Sequence, residues 1–81
     1  MSTLSAAELR EEQTWYRELG RRVEQRRITL KLTQQGLAAK AKLDRAHVSQ
    51  LETGAKRASL RTLRRLAQAL DTPVSELLRG L

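Results

Sequence analysis

The sequence predicts an all-α fold in a single domain, and three observations lead there. Apolar residues recur at helical spacing through nearly all of the 81 positions. Ser, Thr or Asp stands just ahead of most of these periodic runs, where an oxygen can accept from unpaired first-turn amides. The apolar content is mainly 15 Leu and 10 Ala, with no Phe and a single Trp, which suits closely approaching helices and argues against a large aromatic core.

Each helix can be justified in turn. Ser5 and Glu8 make a capping-box pair, so a first helix starts near Ala6. Leu9, Tyr16, Leu19, Val23 and Leu30 follow at near-heptad spacing, and the helix either runs to Leu30 or breaks at Gly20. Thr33 caps a second helix, in which Leu37, Ala38 and Ala41 form one apolar stripe. Asp44 caps a third, running to Thr53, with Val48 and Leu51 at i and i+3. Ser59 caps a fourth, which carries Leu60, Leu63, Leu66, Ala67 and Leu70 on one face. Pro73 occupies the first position of a fifth, where its missing amide costs nothing. Val74, Leu77 and Leu78 give that helix its apolar face.

Composition narrows the function classes. There are no cysteines, so neither a disulfide nor a thiolate metal site braces the domain. The first twenty residues carry four Glu and no apolar run, unlike a signal peptide. Nothing approaches the roughly 18 apolar residues that a membrane span needs, so the expected location is the cytoplasm. Charge is uneven: residues 1–20 hold two Arg against four Glu, while residues 21–81 hold fourteen Lys or Arg against five acids. A basic body of that kind is what neutralising nucleic-acid phosphates requires. Arg outnumbers Lys twelve to four, so compositional bias accounts for part of the charge.

Thr33 to Gly54 reads as two short helices joined by a tight turn, a helix-turn-helix. The second of them would be about 12–15 Å long at ~1.5 Å per residue, and B-DNA's major groove is about 12 Å wide. Its polar set is Arg45, His47, Ser49 and Gln50. With the Thr33-Gln34-Gln35 opening, Leu37-Ala38, Val48-Ser49-x-Leu51-Glu52-x-Gly54 and the Leu60 to Leu70 helix, the segment Leu19 to Leu78 resembles the DNA-binding domain of the phage repressor and Cro (XRE-like) family. The resemblance covers roughly three quarters of the chain; each piece is common, but the ordered set is specific. It implies a five-helix, lambda-repressor-like domain over residues 19–81, with the motif at about 33–54 and residues 1–18 as a helical extension. Two positions depart from the family pattern: Lys42 stands where the turn often has Gly, and Gly36 where helix two often has an acid. A left-handed Lys costs roughly 1 kcal/mol, which leaves room for a slightly different turn.

The resemblance assigns roles by position. Arg45, Ala46, Ser49 and Gln50 match base-reading positions: Arg can fork onto guanine, Gln onto adenine, and the Ala46 methyl can meet a thymine methyl. The bland alternative is a solvated helix face. Gln34 and Gln35 open helix two, where free amides and the dipole attract phosphate. Lys56, Arg57 and Ser59 follow helix three, where the family grips the backbone; otherwise they form a solvated loop. His47, the sole histidine, belongs beside the DNA backbone or in water, since a lone His without Cys or carboxylate partners is a poor metal site. Ser49 and His47 point to different sides of one helix, so no nucleophile–base pair forms. Arg64 and Arg65 face solvent or a partner subunit. Arg27 and Glu52 match a pair that joins helix one to helix three in phage repressors. Trp15 and Tyr16, the only aromatics, either close the core's lower edge or form a subunit interface. Val74, Leu77, Leu78 and Leu81 offer a second apolar patch.

These observations imply a sequence-specific transcriptional regulator without metal or cofactor. It would bind double-stranded DNA at an inverted repeat as a homodimer, and a short restriction–modification controller is the nearest type. An antitoxin-type autorepressor with a toxin partner is the runner-up. A protein-interaction module contacting RNA polymerase, its DNA binding vestigial, is the alternative from another class. An enzyme is not expected, for want of a phosphate-binding glycine loop, nucleophile–base pair or metal cluster.

Overall fold

The computed structural model describes residues 3–81; Met1 and Ser2, the first two residues of the expected extension, lie outside the described residues. It contains five helices, α1 (Ala6–Thr29), α2 (Gln34–Ala41), α3 (Arg45–Thr53), α4 (Leu60–Ala69) and α5 (Val74–Leu78). No strand occurs among the described residues. The Ser5–Glu8 capping box forms in both directions, each bond 3.1 Å long, and sets the start of α1.

α1 runs through Gly20 without a break and crosses residue 18 without interruption. Glycine is tolerated there because α3 needs the space: a Cβ at Gly20 would overlap the Leu51 carbonyl oxygen and stand 2.5 Å from that of Glu52. A glycine inside a helix costs up to ~1 kcal/mol relative to Ala, and here the close approach of two backbones is what it permits.

Four helices end in the same way. Lys31, Lys42, Gly54 and Asp71 all take positive φ. The amide after each reaches the carbonyl five residues back, Leu32 to Arg27, Leu43 to Ala38, Ala55 to Gln50 and Thr72 to Ala67, at 2.9–3.0 Å. This double-bonded stop satisfies carbonyls that the helix leaves unpaired. The turn at Lys42 is therefore the ordinary left-handed one (φ 57, ψ 47), and the Lys adopts it in place of Gly.

Two expected caps differ. Asp44 has the extended backbone of an N-cap, yet its carboxylate makes no capping bond, so the first-turn amides of α3 have no side-chain cap. Pro73 is itself the cap residue of α5, which begins one position later at Val74. Thr33 and Ser59 cap as expected, accepting from Gly36 N at 2.9 Å and Thr62 N at 3.1 Å.

The core is aliphatic: Val23, Leu37, Val48, Leu66 and Leu70 are fully buried, with Leu19, Leu51 and Leu77 around them. α3 packs on α1 and α2, while α4 joins α2 to α5. Leu77 corrects an expectation. It is 3% exposed and belongs to the chain's own core, so it is not part of an outward patch. Leu78 and Leu81 remain exposed, and Val74 is half-buried against the core. Tyr16 also packs on the core, whereas Trp15 is 46% exposed. Two arginines of α1 close the lower helices: Arg22 Nη1 donates to Leu77 O at 3.0 Å, and Arg26 donates to Leu70 O at 2.9 Å and Asp71 O at 3.1 Å. Cations at unpaired C-terminal carbonyls offset the negative end of the helix dipole. No helix among the described residues is long and apolar enough to cross a membrane.

Candidate nucleic-acid interface

α3 divides sharply between two faces. At about 100° per residue, Arg45, Ala46, Ser49 and Gln50 share one stripe, Val48 and Leu51 lie on the far side, and Glu52, seven residues after Arg45, lies on the flank between them. Burial follows this division: Arg45, Ala46 and Gln50 are exposed and Ser49 partly so, while Val48, Leu51 and Glu52 are buried. His47 sits between the faces, partly covered.

The buried carboxylate holds α3 in place. Arg27 Nε and Nη2 of α1 donate to the two oxygens of Glu52 at 2.7 and 3.1 Å, and Nη1 donates to Leu32 O at 2.8 Å. Gln34 Nε2 of α2 donates to Glu52 Oε1 at 3.0 Å. Three helices therefore meet on one carboxylate whose side chain is 1% exposed, with the Arg27 side chain at 13%. The hydrogen bonds that Arg27 donates to Glu52, aided by the carboxylate's charge, hold the guanidinium still more firmly protonated, against the opposing effect of burial. No buried side-chain nitrogen or oxygen among the described residues lacks a partner, so the charge is fully accounted for.

The residues expected at phosphate divide in their surroundings. Gln35 and Lys56 are exposed, at the start of α2 and in the loop after α3. Gln34 gives an amide hydrogen to Glu52, a structural use that the expectation of a phosphate contact did not include. Ser59, also exposed, uses its hydroxyl within the first turn of α4, accepting from Thr62 N and donating to Thr62 Oγ1. Arg57 is exposed but pairs with Glu12 of α1 at 2.8 Å. Arg64 and Arg65 lie exposed on α4. Among the described residues, no three His, Cys, Asp or Glu side chains are grouped to hold a metal ion.

The order of helices, the left-handed turn between α2 and α3, and the clamped third helix with its polar outer stripe together define a helix-turn-helix unit. A helix-turn-helix family model matches residues 23–77. The chain belongs to the helix-turn-helix family. It is a DNA-binding transcription regulator by that membership. Among solved structures it is similar to the restriction-modification controller protein C.AhdI from Aeromonas hydrophila. The two are 35% identical, with a TM-score of 0.75, over 76% of this chain and 94% of that one. It is also similar to the clp gene regulator ClgR from C. glutamicum, at 26% identity and TM-score 0.75, over 79% of this chain and 83% of that one. Curated proteins give no significant match. This helix-turn-helix chain thus has the all-α, five-helix architecture of the phage repressor and Cro type.

Three residues that fix α3 in place are not legible as such in the sequence. Gly20 carries the signal of a glycine inside a strong helical pattern, which points to close packing as readily as to a break. Gln34 gave no local signal, because its partner is 18 residues away. Gly54 seats the end of α3 on α1: a Cβ there would lie 2.8 Å from Arg17 Cα.

Proposed function

We propose that the protein is a sequence-specific regulator that reads an inverted-repeat operator as a homodimer, with one α3 per half-site in the major groove. The observation that carries this reading is the outward stripe of Arg45, Ala46, Ser49 and Gln50 on a helix clamped through Glu52. Base readout needs side chains whose backbone does not drift, because bidentate geometry is lost with small displacements. On this reading the exposed Gln35, Lys56 and Arg57 engage phosphates, as do the first-turn amides of α3, which have no side-chain cap. The basic body supplies the salt-sensitive part of the affinity.

One recognition helix contacts too few bases for operator-level discrimination, so two protomers are required. The exposed apolar residues Trp15, Leu78 and Leu81, with the half-buried Tyr16 and Val74 beside them, are the surfaces available for pairing. Likeness to a restriction-modification controller supports an autoregulator that represses its own promoter by covering it, acting in the cytoplasm. The test is binding to the DNA upstream of its own gene, against a random duplex of equal length at physiological salt. A preference of about 10³-fold or more supports the reading; equal affinity for both overturns it. Sedimentation at tens of micromolar, with and without the preferred DNA, checks the dimer.

A further inference from the structure

The amino-terminal half of α1 brings a carboxylate to the loop that follows α3. Glu12 Oε1 stands 2.8 Å from Arg57 Nη2. The two partners are unequally placed: the Glu12 side chain is 16% exposed and that of Arg57 71%. Glu12 lies in a groove between α1 and the loop, walled by Leu9, Gln13 and Tyr16 on one side and Thr53, Gly54 and Ala55 on the other. Gly54 presses the loop onto α1 at Arg17. The chain then carries Arg57 back over a residue more than one turn nearer the start of α1. Glu8, one turn earlier, is occupied in the capping box with Ser5, so Glu12 is the carboxylate that meets this loop.

Arg57 is also one of the two loop cations that the proposed function sets against phosphate, and the inference rests on that reading. A surface guanidinium gripping a carboxylate has that edge engaged until the carboxylate is displaced. The Arg27–Glu52 pair is buried and bidentate; the Arg57–Glu12 pair is a single contact whose guanidinium side stands open to solvent, and ion pairs open to water are weak. It can therefore be broken by DNA at small cost.

We propose that Glu12 is an intramolecular stand-in for a DNA phosphate. It occupies Arg57 in the free protein and competes with the duplex for it. The competition lowers affinity for specific and random DNA alike, because a backbone contact carries no sequence information. Its use is to moderate the overall DNA affinity of a body that holds fourteen Lys or Arg against five acids, with the ratio of operator to random binding left unchanged.

The experiment compares Glu12→Gln, Arg57→Gln, the double variant and Glu11→Gln, an exposed neighbour. Fluorescence anisotropy measures each on a random-sequence duplex and on the preferred duplex across a range of salt, with thermal melts confirming that each folds. Glu12→Gln should bind both duplexes about two- to fivefold more tightly and steepen the salt dependence by up to about one unit. Arg57→Gln should weaken both. The double variant should match Arg57→Gln, and Glu11→Gln should change less than Glu12→Gln. If Arg57→Gln weakens binding but Glu12→Gln leaves it unchanged or weaker, the proposal is overturned while the groove-reading function stands. An equal Glu12→Gln effect in the Arg57→Gln background overturns it too, by showing only a diffuse charge effect. No effect of Arg57→Gln in a protein that binds DNA removes the loop from phosphate and the proposal with it. Failure of the unaltered protein to bind any duplex overturns the proposed function itself.

Discussion

Gly20 of α1 lies against the backbone of Glu52 in α3, and a Cβ at residue 20 would stand 2.7 Å from the Glu52 carbonyl carbon. α3 is thus seated directly on the α1 backbone at the very residue whose carboxylate Arg27 grips. Position and orientation of α3 are set at the same place.

Gly20→Ala should therefore destabilise the domain. The methyl would meet carbonyl groups of α3 that are fixed by helix bonds, and overpacking of this sort costs typically about 1–3 kcal/mol. Better helix propensity returns at most about 1 kcal/mol. A thermal melt should show a fall, at about 4–8 °C per kcal/mol for a domain of this size. An unchanged or raised midpoint would show that α1 and α3 separate without penalty.

The Arg27–Glu52 pair should couple strongly. Removing Glu52 alone leaves a mostly buried guanidinium without its counter-charge, at a cost of about 3–5 kcal/mol. Arg27→Ala should cost a similar amount, and the double variant much less than the sum of the two. Chemical denaturation of all four proteins measures the coupling, and strictly additive losses would contradict it.

Acid should loosen the start of α1 first. Hydrogen bonds from the backbone and hydroxyl of Ser5 hold the Glu8 carboxyl below its ordinary value. The folded pKa is depressed, so the stabilisation is present at neutral pH. It is lost as pH falls below the ordinary carboxylate value, about 4.3, and through the lower folded one. Glu18, lowered chiefly by the hydrogen bond from Arg21 and helped by its charge, titrates in the same sense. Amide protection at Ser5 and Glu8, taken relative to the intrinsic exchange rate at each pH, should fall over that window. Glu8→Gln should remove the pH dependence at Ser5, and persistence of it there would exclude the capping box as its source.

Specific and general contacts should separate by mutation. Arg45→Ala or Gln50→Ala should each cost about 1–3 kcal/mol on the preferred site and relax preference at one or two base pairs. Lys56→Ala should weaken all DNA similarly and flatten the salt dependence by about one unit. Anisotropy titrations against single-base variants of the site distinguish the two patterns.

Local chemistry made much of this architecture legible. Ser5, Thr33 and Ser59 announced three helix starts, and the spacing of Leu and Ala announced the buried faces, because caps and periodicity depend on near neighbours. The Arg27–Glu52 pair came from resemblance, not from spacing. What stayed hidden depends on residues distant in sequence. Arg22 and Arg26 read as surplus positive charge until their carbonyl partners on α4 and α5 are known, 44 to 55 positions away. Leu77 read as an outward patch because the tilt of a five-residue helix cannot be inferred from its own pattern. Lys31, Lys42 and Asp71 gave no glycine signal at their left-handed turns, since tertiary packing outweighs a local preference of about 1 kcal/mol.

The most direct test of base reading by paired α3 helices is selection of bound sites from a pool of random duplexes. Paired α3 helices should enrich a palindrome whose half-sites lie about one helical turn, 10–10.5 base pairs, apart, with Arg45→Ala and Gln50→Ala each shifting the consensus within both half-sites. A pool that stays unenriched at physiological salt, or a consensus indifferent to both substitutions, would contradict it.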